Sequence, residues 1–268
     1  MSLVQYLHFY RRIAMSNYRA YLLDLDGTVY RGTTAIKEAV EFIHWLQSKG
    51  IEPFFVTNNA SMTLELIREK LAKMSVHTTE EQIITSAIVA AHYIAEHHPS
   101  KEVYMIGEIG LREALEEKRI SITEDLGEVV VMGIDRHINY DKLATACLSI
   151  RNGAAFLSTN SDHAFPTERG FVPGNGAFTK LVEHSTGKEP LFMGKPQPFI
   201  LEMIQQRHGF AKEEMIMIGD NYDTDILTGM HFGIDTAHVN SGVHRTEEVR
   251  MKERPPTYCL ETLRDWIK

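Results

Sequence analysis

No stretch of this sequence reaches the roughly 18 consecutive apolar residues that a membrane-spanning helix needs, so no membrane partner is expected. No run of Lys or Arg stands out, and the formal net charge is -8. Nucleic acid and anionic lipid surfaces are therefore poor partners. Cysteine is scarce. Cys147 and Cys259 are the only two, and they form neither a Cys-x-x-Cys pair nor a zinc-ligand spacing. Two reduced thiols suit a cytoplasmic protein. Internal repeats and low-complexity tracts are absent. The start also lacks the order of a secretory leader, because Arg11 and Arg12 follow the apolar residues instead of preceding them. Met15 could be the natural start, with residues 1–14 an N-terminal extension or a segment added for expression.

What is present is an ordinary globular composition, 43% hydrophobic and 24% charged over 268 residues. That length allows one large domain or two modest ones, with a sizeable core. Strand-like and helix-like patterns alternate almost throughout, which predicts an α/β fold with a mostly parallel sheet and helices on both faces. The run Ala20 to Leu23 reads as a buried strand. Ile36, Ala39, Val40, Ile43 and Leu46 recur at helical spacing, with Thr33 or Thr34 to cap the start and Gly50 to end it. Ile51 to Val56 reads as a strand ending in Thr57-Asn58-Asn59. Helices are expected over Thr63 to Met74 and Ile83 to His97. The rhythm restarts near Ser100, with strands at Glu102 to Ile106, Val129 to Ile134 and Ala155 to Ser158. Helices at Leu111 to Lys118 and Tyr140 to Arg151 lie between them. Asn160 to Gly176 is polar and rich in Gly and Pro, and reads as a long irregular loop. The last third resumes with a strand at Leu191 to Met193, then Gly194-Lys195-Pro196 and a helix burying Phe199, Ile200, Met203 and Ile204. A strand at Met215 to Ile218 runs into Gly219-Asp220-Asn221-Tyr222-Asp223-Thr224-Asp225. A short helix to Phe232, a strand at Thr236 to Val239 and a terminal helix from Thr262 to Lys268 close the chain.

Four strand ends thus carry polar groups: Asp24 with Asp26, Thr57 with Asn58, Lys195, and Asp220 with Asp225. A parallel sheet puts its carboxyl ends on one edge, so groups distant in sequence can converge there. Two unit charges about 4 Å apart cost on the order of 4 kcal/mol at an effective dielectric near 20. A cluster of carboxylates therefore needs a cation, and all-oxygen ligands point to Mg²⁺. With a lysine and a threonine hydroxyl beside it, such a site suits a phosphoryl group and nucleophilic displacement. This reading does not separate nucleophile from acid.

Asp24-Leu25-Asp26-Gly27-Thr28, Thr57 after an apolar strand, Gly194-Lys195-Pro196 and Gly219-Asp220-x-x-x-Thr224-Asp225 resemble, in order, the four motifs of the haloacid dehalogenase superfamily. Val56-Thr57-Asn58-Asn59 and an insert of about a hundred residues resemble its NagD-like, or 4-nitrophenylphosphatase-like, class IIA branch. The resemblance implies a Rossmann-like doubly wound core at 15–98 and 188–268, with an inserted α/β C2-type cap at 99–187. It further implies a Mg²⁺-dependent phosphatase of small phosphomonoesters. In that assignment Asp24 is the nucleophile and Asp26 the acid/base. The Asp24 carboxylate, the Asp26 carbonyl and Asp220 hold the metal. Thr57, helped by Asn58 and Asn59, binds the phosphoryl group, and Lys195 neutralises charge. Asp225 and Asn221 support the site. In the polar loop, Asn160, Asp162, Glu168 and Arg169 are candidates to touch substrate, and His163 a weaker one. His97-His98 is no metal pair, because helix neighbours do not face each other. Two alternatives stay open: phosphoryl transfer to an acceptor other than water, and a receiver-like phospho-aspartate switch. The second acid at Asp26 argues against a switch. A homodimer through the cap is open, and no residue pattern specifies it.

Overall fold

The structure, a computed structural model, describes residues 18–167 and 169–267. Residues 1–14 and Glu168, singled out above, lie outside that range. In chain order the elements begin with β1 (Ala20–Leu23), a small hairpin of β2 (Tyr30–Arg31) and β3 (Thr34–Ala35), α1 (Lys37–Ser48), β4 (Phe54–Thr57) and α2 (Leu64–Lys73). Next come β5 (Ile83–Thr85), α3 (Ser86–His97), β6 (Val103–Ile106), α4 (Ile109–Glu117), β7 (Ile122–Thr123), β8 (Val129–Met132), α5 (Tyr140–Arg151) and β9 (Ala155–Ser158). The remainder is β10 (Ala164–Thr167), β11 (Gly170–Pro173), α6 (Asn175–Thr186), β12 (Leu191–Phe192), α7 (Phe199–His208), β13 (Met215–Gly219), α8 (Leu227–Phe232), β14 (Asp235–Val239), α9 (Thr246–Arg250) and β15 (Tyr258–Leu260). The chain divides into two compact units. Of the described residues, one holds 18–57, Arg68–Ile83 and 201–267; the other holds Asn58–Ile67 and Ile84–Ile200. The units exchange chain at those points, whereas the sequence alone places the limits near 99 and 187.

The first unit is organised by a six-stranded sheet in the order β15-β14-β13-β1-β4-β5. β1 runs parallel to both β13 and β4, and β14 runs parallel to β13 and β15. β1 (AYLL) and β13 (MIMIG) are buried at every position. Such unbroken apolar runs are what a parallel strand covered on both faces requires. α1 buries Ala39, Phe42, Ile43 and Leu46. Its Phe42 ring lies 5.9 Å from Tyr21 and 5.8 Å from Trp266, so the buried Trp266 seals this layer.

The second unit carries its own five-stranded sheet, β12-β9-β8-β6-β7, with parallel pairings throughout. Its core gathers Tyr104, Ile106, Val130, Met132, Ala146, Ile150, Phe156 and Val182. Beside it the buried Asn175 amide donates to the carbonyls of Met132 and Asn160 and to the Ser158 hydroxyl. One side chain thereby ties together the ends of two strands and the start of α6.

Four local expectations are corrected. Ile83–Thr85 is a strand rather than the first turn of a helix. Ile83, Ile84 and Thr85 are β-branched, and the Thr85 hydroxyl accepts the Ile88 N–H, so the helix starts at Ser86. The segment expected as an irregular loop contains a β-hairpin in which Phe165 pairs with Val172 and Thr167 with Gly170. Pro166 and Pro173 hid it. A two-stranded ribbon leaves outward N–H positions unpaired, so proline is tolerated there. Thr34 sits in β3, and α1 starts at Lys37 with Ile36 as an N-cap that makes no side-chain cap bond. The terminal helix is a short 3₁₀ turn, Leu263–Trp266. No helix among the described residues is long and apolar enough to cross a membrane.

Candidate active site

β4, β1 and β13 are neighbours in the first sheet, and their carboxyl ends deliver Thr57, Asp24 and Asp220. Thr57 is the last residue of β4 and is buried. Asp24 follows β1, and its N–H still donates to the Ile218 carbonyl of β13 at 2.9 Å. Asp220 follows Gly219 directly. A single π-helical turn, Tyr222–Ile226, then brings Asp225 back toward β13. The Asn221 side chain caps that turn by accepting the Asp223 N–H at 3.0 Å, and the Asn221 N–H donates to Asp225 Oδ2 at 3.1 Å.

Asp24, Asp220 and Asp225 each place a carboxylate oxygen within 4.8 Å of the others. They are only 7%, 1% and 1% exposed. Three like charges at that spacing repel by about 3 kcal/mol per pair at an effective dielectric near 20. The donor set is hard oxygen only, which fits a divalent cation such as Mg²⁺ or Ca²⁺ and not a soft metal.

Asp220 is fixed from several sides. Thr28 donates its hydroxyl to Oδ1 at 3.0 Å, and the Val243 N–H reaches Oδ2 at 2.6 Å. The Asp220 carbonyl meets the ring of the fully buried His238 at 3.1 Å. Burial pushes the His238 imidazole below its usual value, opposed by that hydrogen bond. Sequence reading passed over His238 and Ser241. The one available signal for His238 was a lone histidine inside an apolar strand. Ser241 holds the motif loop by donating to the Gly27 carbonyl at 2.7 Å.

Space for these carboxylates depends on glycine. A Cβ on Gly27 would lie 2.5 Å from the Asp220 oxygens, one on Gly242 1.9 Å from Asp220 Oδ2, and one on Gly219 2.2 Å from Asp225 Oδ2. Gly27 also holds φ at +94°, a region costly for any other residue. Gly27→Ala is therefore expected to lower stability by about 1–3 kcal/mol and to reduce activity by at least about tenfold through displacement of Asp220. A thermal melt and kcat/KM measured together check this, and wild-type values for both would refute the steric account.

Asp26 stands apart from the buried trio. It is exposed, forms an isolated bridge with Tyr30, and hydrogen-bonds through its carboxylate with the Tyr30 hydroxyl.

The remaining motif residues belong to the second unit. Lys195 is 2% exposed, and its main chain is gripped by Asn58. The Lys195 N–H donates to Asn58 Oδ1 at 2.8 Å, and Asn58 Nδ2 donates to the Lys195 carbonyl at 3.1 Å. The Asn58 carbonyl in turn accepts from the Ser86 hydroxyl and from Asn160 Nδ2. Asn160 Oδ1 accepts the Asp162 N–H at 3.1 Å. Asn59 Oδ1 accepts from the Ser61 N–H and hydroxyl and from Met62 N–H, shaping its own turn. The side chains of Asn58, Asn59 and Asn160 thus bond to their own unit's backbone and turns. Asp162 is half-buried, while His163 and Arg169 are exposed. His97 stacks on Tyr93 with centroids 4.0 Å apart and is exposed, in keeping with a solvated surface.

Buried acids at neighbouring strand ends, a threonine beside them and a glycine-lined loop define a class, and the chain belongs to the haloacid dehalogenase-like hydrolases. The model of that family matches residues 21–121, and a HAD-hydrolase-like model matches residues 192–266. The chain is 44% identical to the 5'-nucleotidase YutF of Bacillus subtilis, over 94% of its own length and 99% of the relative's. It is 47% identical to an acid sugar phosphatase of Staphylococcus aureus, with 94% and 98% covered. Among solved structures, a thermostable NPPase from Geobacillus stearothermophilus superposes with a TM-score of 0.88 at 46% identity, covering 93% of this chain and 98% of that one. A 4-nitrophenylphosphatase from Thermotoga maritima gives 0.89 at 29% identity, covering 94% and 97%. The chain is a phosphatase of this family and its 4-nitrophenylphosphatase-like branch.

Proposed function

We propose that this protein hydrolyses small-molecule phosphomonoesters, nucleotide or sugar phosphates among them, through a phosphoryl group carried on Asp24. The observation that carries this reading is the trio of buried carboxylates, Asp24 and Asp220 at the ends of the adjacent strands β1 and β13 and Asp225 on the turn that follows, with Thr57 at the end of neighbouring β4. Asp24 Oδ attacks phosphorus as the bond to the leaving oxygen breaks, and Asp26 gives that oxygen its proton. Asp26 then takes a proton from water, the water oxygen attacks phosphorus, and the bond to Asp24 breaks, releasing phosphate and restoring both acids. Thr57 donates to a phosphoryl oxygen, and Asn58 and Asn59 support the phosphate-binding turn. Family resemblance assigns Lys195 the task of offsetting charge on nucleophile and phosphate. The Asp24 and Asp220 carboxylates, with the Asp26 carbonyl, would hold Mg²⁺, and Asp225 and Asn221 would support that set. When bound, the ion supplies the positive charge that lets a carboxylate approach a dianion.

The insert at 99–187 acts in this reading as a cap that excludes bulk water and touches the leaving group, with Asp162 and Asn160 as contacts. Cys147 and Cys259 are not joined in a disulfide, which supports a cytoplasmic setting. Exposed Leu148 and Phe171 offer apolar surface for a homodimer through the cap.

The test is a panel of nucleotide, sugar and p-nitrophenyl phosphates assayed after chelation and again with Mg²⁺ restored. Turnover is expected only with the ion present. Undiminished hydrolysis in excess chelator would refute the metal assignment. Phosphate released in equal amount to alcohol, even with glycerol added, separates hydrolysis from transfer to another acceptor.

A further inference from the structure

We propose that Lys70 and Tyr30 form a clamp that holds the Asp26 carboxylate in place, making both of them positioning residues for the proton transfers assigned to Asp26. The proposal rests on the functional reading above and adds two residues to it that no motif contains. Tyr30 belongs to the hairpin just after the Asp24-to-Thr28 turn. It is 2% exposed, and its main chain is locked to that turn. The Tyr30 N–H donates to the Leu25 carbonyl at 3.1 Å, and the Gly27 N–H donates to the Tyr30 carbonyl at 2.8 Å. Its hydroxyl hydrogen-bonds with the Asp26 carboxylate. From α2, half-buried Lys70 lays its ammonium over the Tyr30 ring, 3.6 Å from the centroid, and within electrostatic reach of Asp26. A surface lysine has little reason to fold back onto a buried ring beside a carboxylate unless both attract it.

The charges support the same geometry. Burial lowers the Lys70 ammonium below its usual value, and the Asp26 charge opposes that fall. Tyr30 is pushed far up, first by burial and then by the charges of Asp26 and Asp24. Asp26 is an exposed residue on a turn, and such a short side chain would otherwise sample several rotamers. A general acid must lie within hydrogen-bond reach of the atom it protonates, and a misplacement of about 1 Å can cost on the order of a hundredfold.

The plain alternative is that Lys70 only covers the Tyr30 ring with its aliphatic stem. Lys70→Met keeps that cover and removes the charge. The experiment compares kcat and KM for an alkyl ester, glycerol phosphate, with those for p-nitrophenyl phosphate, whose leaving group needs little protonation. Lys70→Met is expected to lower kcat on the alkyl ester by about tenfold or more and on the aryl ester by less than about threefold, with KM nearly unchanged. Lys70→Arg should recover most of the loss. Tyr30→Phe should show the same leaving-group bias. In an Asp26→Ala background, Lys70→Met should add no further loss, since it acts through the missing acid. Equal losses on both substrates, no loss at all, or full additivity with Asp26→Ala would overturn the clamp. Should Asp26→Ala itself fall equally on both substrates, the acid assignment fails and the clamp with it. If Asp26→Ala discriminates and Lys70→Met does not, the clamp alone fails.

Discussion

Asp24→Asn is expected to cut kcat/KM by at least about a thousandfold while leaving the protein folded, because the nucleophilic charge is lost and the shape is kept. The Asp24 N–H to Ile218 bond belongs to the backbone and survives the change. The side chain sits 7% exposed in contact range of two other buried carboxylates. Removing one of three mutually repelling charges should relieve strain in the metal-free protein. The melting temperature of the variant in chelator is therefore expected to equal or exceed that of the wild type. The two readouts move in opposite directions, which separates a chemical role from a structural one. A variant that retains more than about a hundredth of wild-type turnover would remove Asp24 from its assigned role. One that melts well below wild type would show that the carboxylate is needed for packing.

The second large effect is expected at Asp220. Its carboxylate is held by Thr28 and by the Val243 N–H. Asn can keep both bonds, with its carbonyl oxygen accepting from Val243 and its amide donating to the Thr28 oxygen. Asp220→Asn should thus fold normally yet bind a divalent cation far less well, with the Mg²⁺ needed for half-maximal activity raised by about a hundredfold. The same loss should appear without any substrate. Mg²⁺ at about 100 times its dissociation constant would stabilise the wild type by about 2.7 kcal/mol, and this gain should largely vanish in the variant. An unchanged Mg²⁺-dependent shift in melting temperature would mean that Asp220 is not a ligand.

Much of this site was legible because it is locally written. Asp24, Thr57 and Asp220 each end an apolar strand, and parallel neighbours bring such ends together without any long-range information beyond strand order. The helical face of α1 was equally readable from spacing, although Phe42 rather than Val40 fills the inner position. What escaped was non-local or disguised. The amide of Asn160 meets the carbonyl of Asn58, 102 residues away, and no local pattern encodes that partner. The hairpin at Ala164–Pro173 was masked by prolines and glycines that signal loops everywhere except on a two-stranded ribbon. The two residues of β12 look like any short apolar strand. Only their pairing with Leu157 and Ser158 assigns them to the second sheet.

The glycines around the carboxylates carry a consequence for how this sequence can vary. Gly27, Gly219 and Gly242 take no part in the chemistry, yet a single methyl group on any of them would occupy the volume of an acid oxygen. The site is bounded by hydrogen atoms at these three points. Substitution there is closed off as firmly as at the acids themselves, and adjustment of this centre has to proceed through residues farther out, such as Thr28, Ser241 and His238.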